Sequence, residues 1–207
     1  TLFPYTTLFR SGYLGSALAV TYGLSKFIMG NVSDRSNPRY FLALGLFLSA
    51  LVNLLVPGTL SFSGLFLLML MNGWVQGMGW PPCGRIMTHW FSDSERGTKM
   101  SIWNTAHNVG AGLLPLIVAI GVWAFGSWSG LFYLPAICAI VFSILILIFG
   151  RDVPQSVGLP PIEVYRNDYP LAEVEHDLVD REQEMTTKQI LFDYVLNNKN
   201  VWFMAIA

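Results

Sequence analysis

With 207 residues, of which 53% are hydrophobic and only 12% charged, and a mean hydropathy of +0.49, the chain cannot clothe itself for water; a soluble domain carries about 25% charged residues. A net charge of -1 with no basic stripe excludes nucleic-acid binding through the phosphate backbone. The two cysteines, Cys83 and Cys138, sit in apolar runs with no CxxC spacing or histidine partners, so they read as small buried hydrophobes and not as a disulfide or metal site.

Residues 1–11 contain neither an apolar run long enough for a bilayer nor the charged start and cleavage site of a signal peptide. They resemble a translated DNA-sequencing adapter and are read as non-native, with the natural chain entering near Gly12. A hydrocarbon core needs about 20 mostly apolar residues to cross it. Residues 12–150 offer five such spans, roughly 12–31, 40–57, 64–90, 100–124 and 128–150. Another begins near residue 200, so 200–207 is read as the start of a truncated helix. Arg35 and Arg39 lie in the first connection, Arg96 and Lys99 in the third, and Arg151 opens the fifth, whereas 57–64 and 124–130 hold no Lys or Arg. By the positive-inside rule the odd connections are cytoplasmic.

The fifth connection, 151–199, carries Pro154, Pro160, Pro161 and Pro170 and most of the acidic residues, and reads as a flexible cytoplasmic linker. Near its end, Thr186 and Thr187 are placed to cap a short amphipathic helix presenting Ile190, Leu191, Tyr194 and Val195. A long charged loop after a block of spans is how a transporter built of two halves is punctuated.

Four stretches carry the chemistry. At the first turn, Gly30-Asn31-Val32-Ser33-Asp34-Arg35 followed by Arg39 puts an acid and two bases together. Asp34 can cap the next helix and accept from an arginine, Gly30 lets helices approach, and the cluster can latch one conformation, unless it is an ordinary positive-inside turn. Lys26 lies deep in the first span with Tyr22 one turn away on the same face. A charge at mid-helix costs about 3 kcal/mol, so this lysine either snorkels to the interface or faces a watery anion pathway. In the fourth span, Trp103, Asn104, His107 and Asn108 form one polar patch, followed by Gly110 and Gly112, which permit close packing. His107 either carries the proton that balances a phosphate ester or merely bonds a neighbouring helix. The third span runs Gly73-Trp74-Val75-Gln76-Gly77-Met78-Gly79-Trp80-Pro81-Pro82-Cys83-Gly84-Arg85, where two prolines bend the helix and glycines four apart allow contact.

Gly-x-x-x-Asp-Arg-x-x-x-Arg over 30–39 resembles the loop signature of the major facilitator superfamily. Arg96-Gly97-x5-Trp103-Asn104-x2-His107-Asn108-Val109-Gly110 resembles, within it, the signature of the organophosphate:phosphate antiporter family, which ends in a second glycine where this chain has Ala111. The 73–85 stretch, Tyr22 to Gly30, and Pro154-Gln155-Ser156-Val157-Gly158-Leu159-Pro160-Pro161-Ile162-Glu163 extend the likeness over residues 12–207 and toward the family's glycerol 3-phosphate carriers.

The resemblance implies an all-α membrane fold, the incomplete N-terminal helix bundle of that superfamily, in the bacterial inner membrane. It implies helices two to six in 12–150, the inter-half loop in 151–199 and the start of helix seven. The activity implied is uptake of glycerol 3-phosphate in exchange for inorganic phosphate by alternating access, by a carrier that is monomeric when full length, uses no cofactor or metal and is not an enzyme. Substrate would be lined by His107, Lys26, Tyr22, Asn104 and Trp80, with Asp34, Arg35 and Arg39 as the conformational gate. Two central arginines of the family would lie outside this chain. The alternatives are a carrier of hexose phosphate or phosphoglycerate, or a membrane sensor that binds such esters without moving them.

Overall fold

The computed structural model describes residues 3–168, 192, 196–199, 202 and 203, with the backbone alone for 3–8. The chain divides into two units, 1–166 and 167–207. The capped helix expected around 186–195 and most of the expected seventh helix lie outside the described residues.

The first unit is built of helices. Helix α1 runs Phe3–Asp34, continuous through residues 3–11, and α2 runs Pro38–Leu55. Asn37 starts α2: its side chain accepts from the Arg39 and Tyr40 amides at 3.0 and 3.5 Å, and Pro38 supplies a first-turn residue that needs no amide partner. Asp34, expected to cap this helix, instead closes α1. After a 3-10 turn at Val56–Gly58, Ser61 caps α3, Phe62–Gln76, by accepting from the Gly64 amide at 3.1 Å.

The expected third span is broken. Pro81 and Pro82 have no N–H, so the carbonyls four residues back lose their helical donors, and the chain tightens to Met78 N–H on Val75 O and Gly79 N–H on Gln76 O, both 3.1 Å. A new helix, α4, then runs Trp80–Trp90. Helix α5, Asp93–Phe125, begins with Asp93 and Glu95 against its positive end and ends at Gly126, whose φ of 62° suits glycine. Helix α6 spans Gly130–Phe149.

Among the described residues, three helical stretches can cross a membrane by length and hydropathy: Pro38–Gly58, Asp93–Phe125 and Gly130–Phe149, at hydropathies of 2.1, 1.9 and 2.8. The other two expected spans depart from this rule for visible reasons. Helix α1 is long enough but diluted by Thr21, Tyr22, Ser25 and Lys26, and the third span is cut into α3 and α4.

Helix α1 packs on α3 and α4, α2 on α3, α4 and α6, and α5 on α6. A small core of Val52, Val56 and Leu68 is flanked by Leu65, Met69 and Phe132. Small residues set the approach of the helices: Gly73 and Gly77 face Leu18, Thr21 and Ser25, and Gly121 and Gly130 bring the α5 and α6 backbones together. Polar bonds cross between helices as well, Ser143 Oγ to the Ala43 carbonyl at 2.8 Å and Ser49 Oγ to Asn72 Oδ1 at 2.7 Å. By contrast Gly30, Gly110 and Gly112, expected to serve close packing, have no described neighbour near them. Leu113, Leu116, Ile120, Phe142, Ile148 and Phe149 point outward, an apolar surface suited to lipid.

The first, third and fifth connections meet at one end. Asn37 Nδ2 donates to Asp152 Oδ2 at 2.9 Å, Trp90 Nε1 to the Arg151 carbonyl at 3.2 Å, and Arg166 pairs with Glu95 at 3.2 Å. Pro154 is buried, a 3-10 turn covers Pro154–Val157, and a short helix, α7, covers Ile162–Arg166. Residues 151–166 are therefore fastened to the bundle, where a free linker was expected. At the same end Arg85 Nη1 donates to the carbonyls of Ser33, Asp34 and Ser36 at 3.1, 2.7 and 2.7 Å, closing the C-terminus of α1 against α4.

Two outcomes follow for the chain in detergent. Gly130→Ala puts a methyl within 2.8 Å of the Val122 nitrogen and should lower stability by about 1–3 kcal/mol in thermal unfolding, while Gly97→Ala, with open space around it, should not. Arg85→Ala should cost about 1.5–3 kcal/mol and Arg85→Lys recover part of it, because a charged donor to three carbonyls is removed in the first and kept as a point charge in the second.

Candidate functional site

A cavity of about 490 Å³ opens between α1, α4 and α5, lined by Tyr22, Lys26, Trp80, Trp103, Asn104, Ala106 and His107. All five residues expected to line a site are in this set: Tyr22 and Lys26 one turn apart on α1, Trp80 at the first turn of α4, Asn104 and His107 on α5. The helical period brings 103, 104 and 107 to a common face, and packing of α1 against α4 turns the other three toward it. The break at 77–79 places Trp80 at the start of a new helix.

The site has a defined electrostatic character. Lys26 is half-buried, and its Nζ lies 4.4 Å from the centroid of the Tyr22 ring, a cation–π contact that helps hold an ammonium inside an apolar bundle. Trp80 and Trp103 meet edge to face at 5.6 Å and 66°, joining α4 to α5 across the floor of the cavity. Asn104 adds an amide, and His107 an imidazole, to the one cation. Among the described residues no carboxylate lines the cavity, so its field favours an anion. A volume near 490 Å³ suits a small organic molecule.

Two lining residues stood outside the expected binding set. Trp103 had been placed only in the polar patch, and Ala106 carries no chemical signal at all; its place shows only once the face of α5 is known. Asn108, expected in the same patch, does not line the cavity. Among the described residues no cluster of three or more His, Cys, Asp or Glu could hold a metal ion.

The expected gate residues lie away from the cavity, at the α1–α2 turn. Asp34 gives its carbonyl to Arg85, Arg35 is exposed, and Arg39 packs over the Tyr40 ring at 5.3 Å with its Cγ against Gly150. The arginine that ties this turn to α4 is Arg85. It stood in the 73–85 stretch without an assigned role, because its acceptors are backbone carbonyls that no side-chain pattern reveals.

Residues 5–207 match the model of the Major Facilitator Superfamily. The chain is 58% identical over 200 residues to the glycerol-3-phosphate transporter of Bacillus subtilis, a match covering 95% of this chain and 44% of that protein. It is 46% identical over 212 residues to the glycerol-3-phosphate transporter of Haemophilus influenzae, covering 95% and 43%, and 45% identical over 202 residues to a probable hexose phosphate transport protein of Chlamydia trachomatis, covering 95% and 44%. The chain thus spans less than half the length of the curated relatives it matches. An apolar helical bundle, an open cavity with polar groups between its helices and a family match along nearly the whole sequence lead to one assignment: the chain belongs to the Major Facilitator Superfamily, as an all-α, multi-pass protein of the bacterial inner membrane.

Proposed function

We propose that this chain forms most of one half of a secondary carrier that takes up glycerol 3-phosphate in exchange for inorganic phosphate, with its first, third and fifth connections on the cytoplasmic side. The observation that carries this reading is the meeting of Lys26, His107 and Asn104 in a single cavity with no carboxylate among its described lining residues, on stretches of α1 and α5, 11–33 and 100–125, where Lys26 is the one Asp, Glu, Lys or Arg. A phosphate ester offers a compact, doubly charged head and a small polar tail. Lys26 supplies the opposing charge, His107 and Asn104 donate hydrogen bonds, and the rings of Tyr22, Trp80 and Trp103 wall the glycerol portion.

The chemistry is recognition, with no bond made or broken. A cation at mid-bundle costs about 3 kcal/mol, and an arriving phosphate offsets that cost. The bundle is then most at ease when the cavity holds an anion, which favours moving loaded over moving empty and so favours exchange. The remainder of the carrier would close the opposite wall. Asp34, Arg35 and Arg39, at the turn where α1 ends, are placed to latch one facing state, with Arg85 holding that turn to α4.

Full-length carrier in phosphate-loaded proteoliposomes tests this. Uptake of labelled glycerol 3-phosphate that requires internal phosphate is expected; uptake independent of it would remove the exchange step, and stronger competition by glucose 6-phosphate than by glycerol 3-phosphate would move the cargo to a hexose ester. Tight binding with no flux would favour a sensor. Lys26→Gln should weaken apparent affinity about tenfold or more, since a charge-assisted bond is lost while size is nearly kept. His107→Asn, which keeps one donor, should cost less than Lys26→Gln; an equal or greater loss would shift the main phosphate contact to the imidazole.

A further inference from the structure

Two walls of the cavity are joined at a contact that lies outside it. Lys26 and Tyr22 belong to α1 and Trp80 opens α4, and behind them Ser25 stands against Gly77. Ser25 is fully buried, and its hydroxyl donates to the Trp74 carbonyl. In an unbroken helix that carbonyl would take the Met78 N–H, which here turns to Val75. The serine thus occupies an acceptor that the break releases. A methyl at position 77 would come within 2.6 Å of Ser25 Cβ and 2.9 Å of the Lys26 backbone nitrogen. Two separate features, a missing side chain and a hydrogen bond, therefore hold α1 close against the broken helix.

Neither Ser25 nor Gly77 lines the cavity. Lys26 nevertheless follows Ser25 directly, and Trp80 lies three residues beyond Gly77. Any change of spacing at the joint passes to the gap between ammonium and indole, because packed helices shift as bodies and do not yield locally. One turn away the same seam continues at Gly73, whose Cβ would meet Thr21 and the Leu18 carbonyl. Pressure at 77 would thus tilt α1 about the 73 contact and swing its Lys26 end outward.

We propose that the Ser25–Gly77 joint sets the width of the cavity and with it the size of the phosphate ester admitted, both acting as positioning residues and not as ligands. This rests on the reading of the cavity as a phosphate-ester site. The obstacle at Gly77 is the Ser25 hydroxyl together with Ser25 Cβ and the Lys26 backbone nitrogen, and the last two cannot swing aside as the tip of a flexible side chain would. An added methyl there moves α1 away, and the space gained lies beside the tail of the ester, where a six-carbon cargo needs room.

The test is competition of labelled glycerol 3-phosphate uptake by glucose 6-phosphate in the full-length carrier, for the natural protein, Gly77→Ala, and Gly77→Ala combined with Ser25→Gly. Gly77→Ala should shift the ratio of apparent affinities about tenfold toward the hexose ester, the scale of one misplaced methylene in a pocket. The double variant, which exchanges the small residue across the joint, should move the ratio back. An unchanged ratio, or a proportional loss for both esters, overturns the proposal. Where Gly77→Ala does not reach the membrane, Ser25→Ala decides: KM for glycerol 3-phosphate raised about three- to tenfold at unchanged Vmax supports the joint, and an effect on Vmax alone, or none, overturns it. If the natural protein moves no phosphate ester, the functional reading fails and the joint is judged by spin labels on Phe27 and Thr88. Their distance should increase in Gly77→Ala, and an equal distance in the two proteins overturns the joint.

Discussion

Inside a bilayer no water reaches a backbone carbonyl, so every amide and carbonyl must find a partner within the protein. Pro81 and Pro82 remove two donors from the middle of a span, and much of the architecture answers that loss. The chain tightens into a 3-10 turn at 77–79, the freed Trp74 carbonyl takes the Ser25 hydroxyl, and the glycines on either side let α1 come close enough to deliver it. What would be a defect in an isolated helix becomes the contact on which α1, α3 and α4 are seated. Helix α4 starts afresh at Trp80, and that residue reaches the cavity.

The same scarcity of water governs the charges. Among the described residues of the bundle, Arg39, Arg85, Arg96, Lys99 and Arg151 collect at one end, where they cap carbonyls, pair with carboxylates or stack on rings. Lys26 is set apart from them, two turns deeper, and is held by the Tyr22 ring on the edge of a polar cavity. An isolated cation in such a place is expensive.

The fastening of residues 151–166 joins these two themes. Asp152 bonds Asn37, which caps α2, Arg151 offers its carbonyl to Trp90 at the end of α4, and Arg166 pairs with Glu95 in the first turn of α5. The ends of α2, α4, α5 and α6 are thus tied by one short segment. A bundle tied in this way is suited to move as a body, which a rocking carrier requires of each half.

Much of this was legible in the residues themselves. Apolar runs and basic connections named the helices and their common end, and the single deep lysine and the Trp103-Asn104-His107 patch named the cavity, because a polar group in an apolar span is conspicuous whatever its surroundings. Three things were not legible. The cut at 77–79 replaces a bend with a break, because the Met78 N–H turns to Val75 and releases the Trp74 carbonyl, and the pairing of that carbonyl with Ser25 is a matter of helix position. Arg85 acts on carbonyls, which every residue has, and Ala106 acts by facing a space that α1 and α4 must first enclose. Sequence alone determined which groups cannot remain in lipid; tertiary packing decided which partners receive them, since hydrogen bonds and close contacts between helices depend on relative placement that no local pattern encodes.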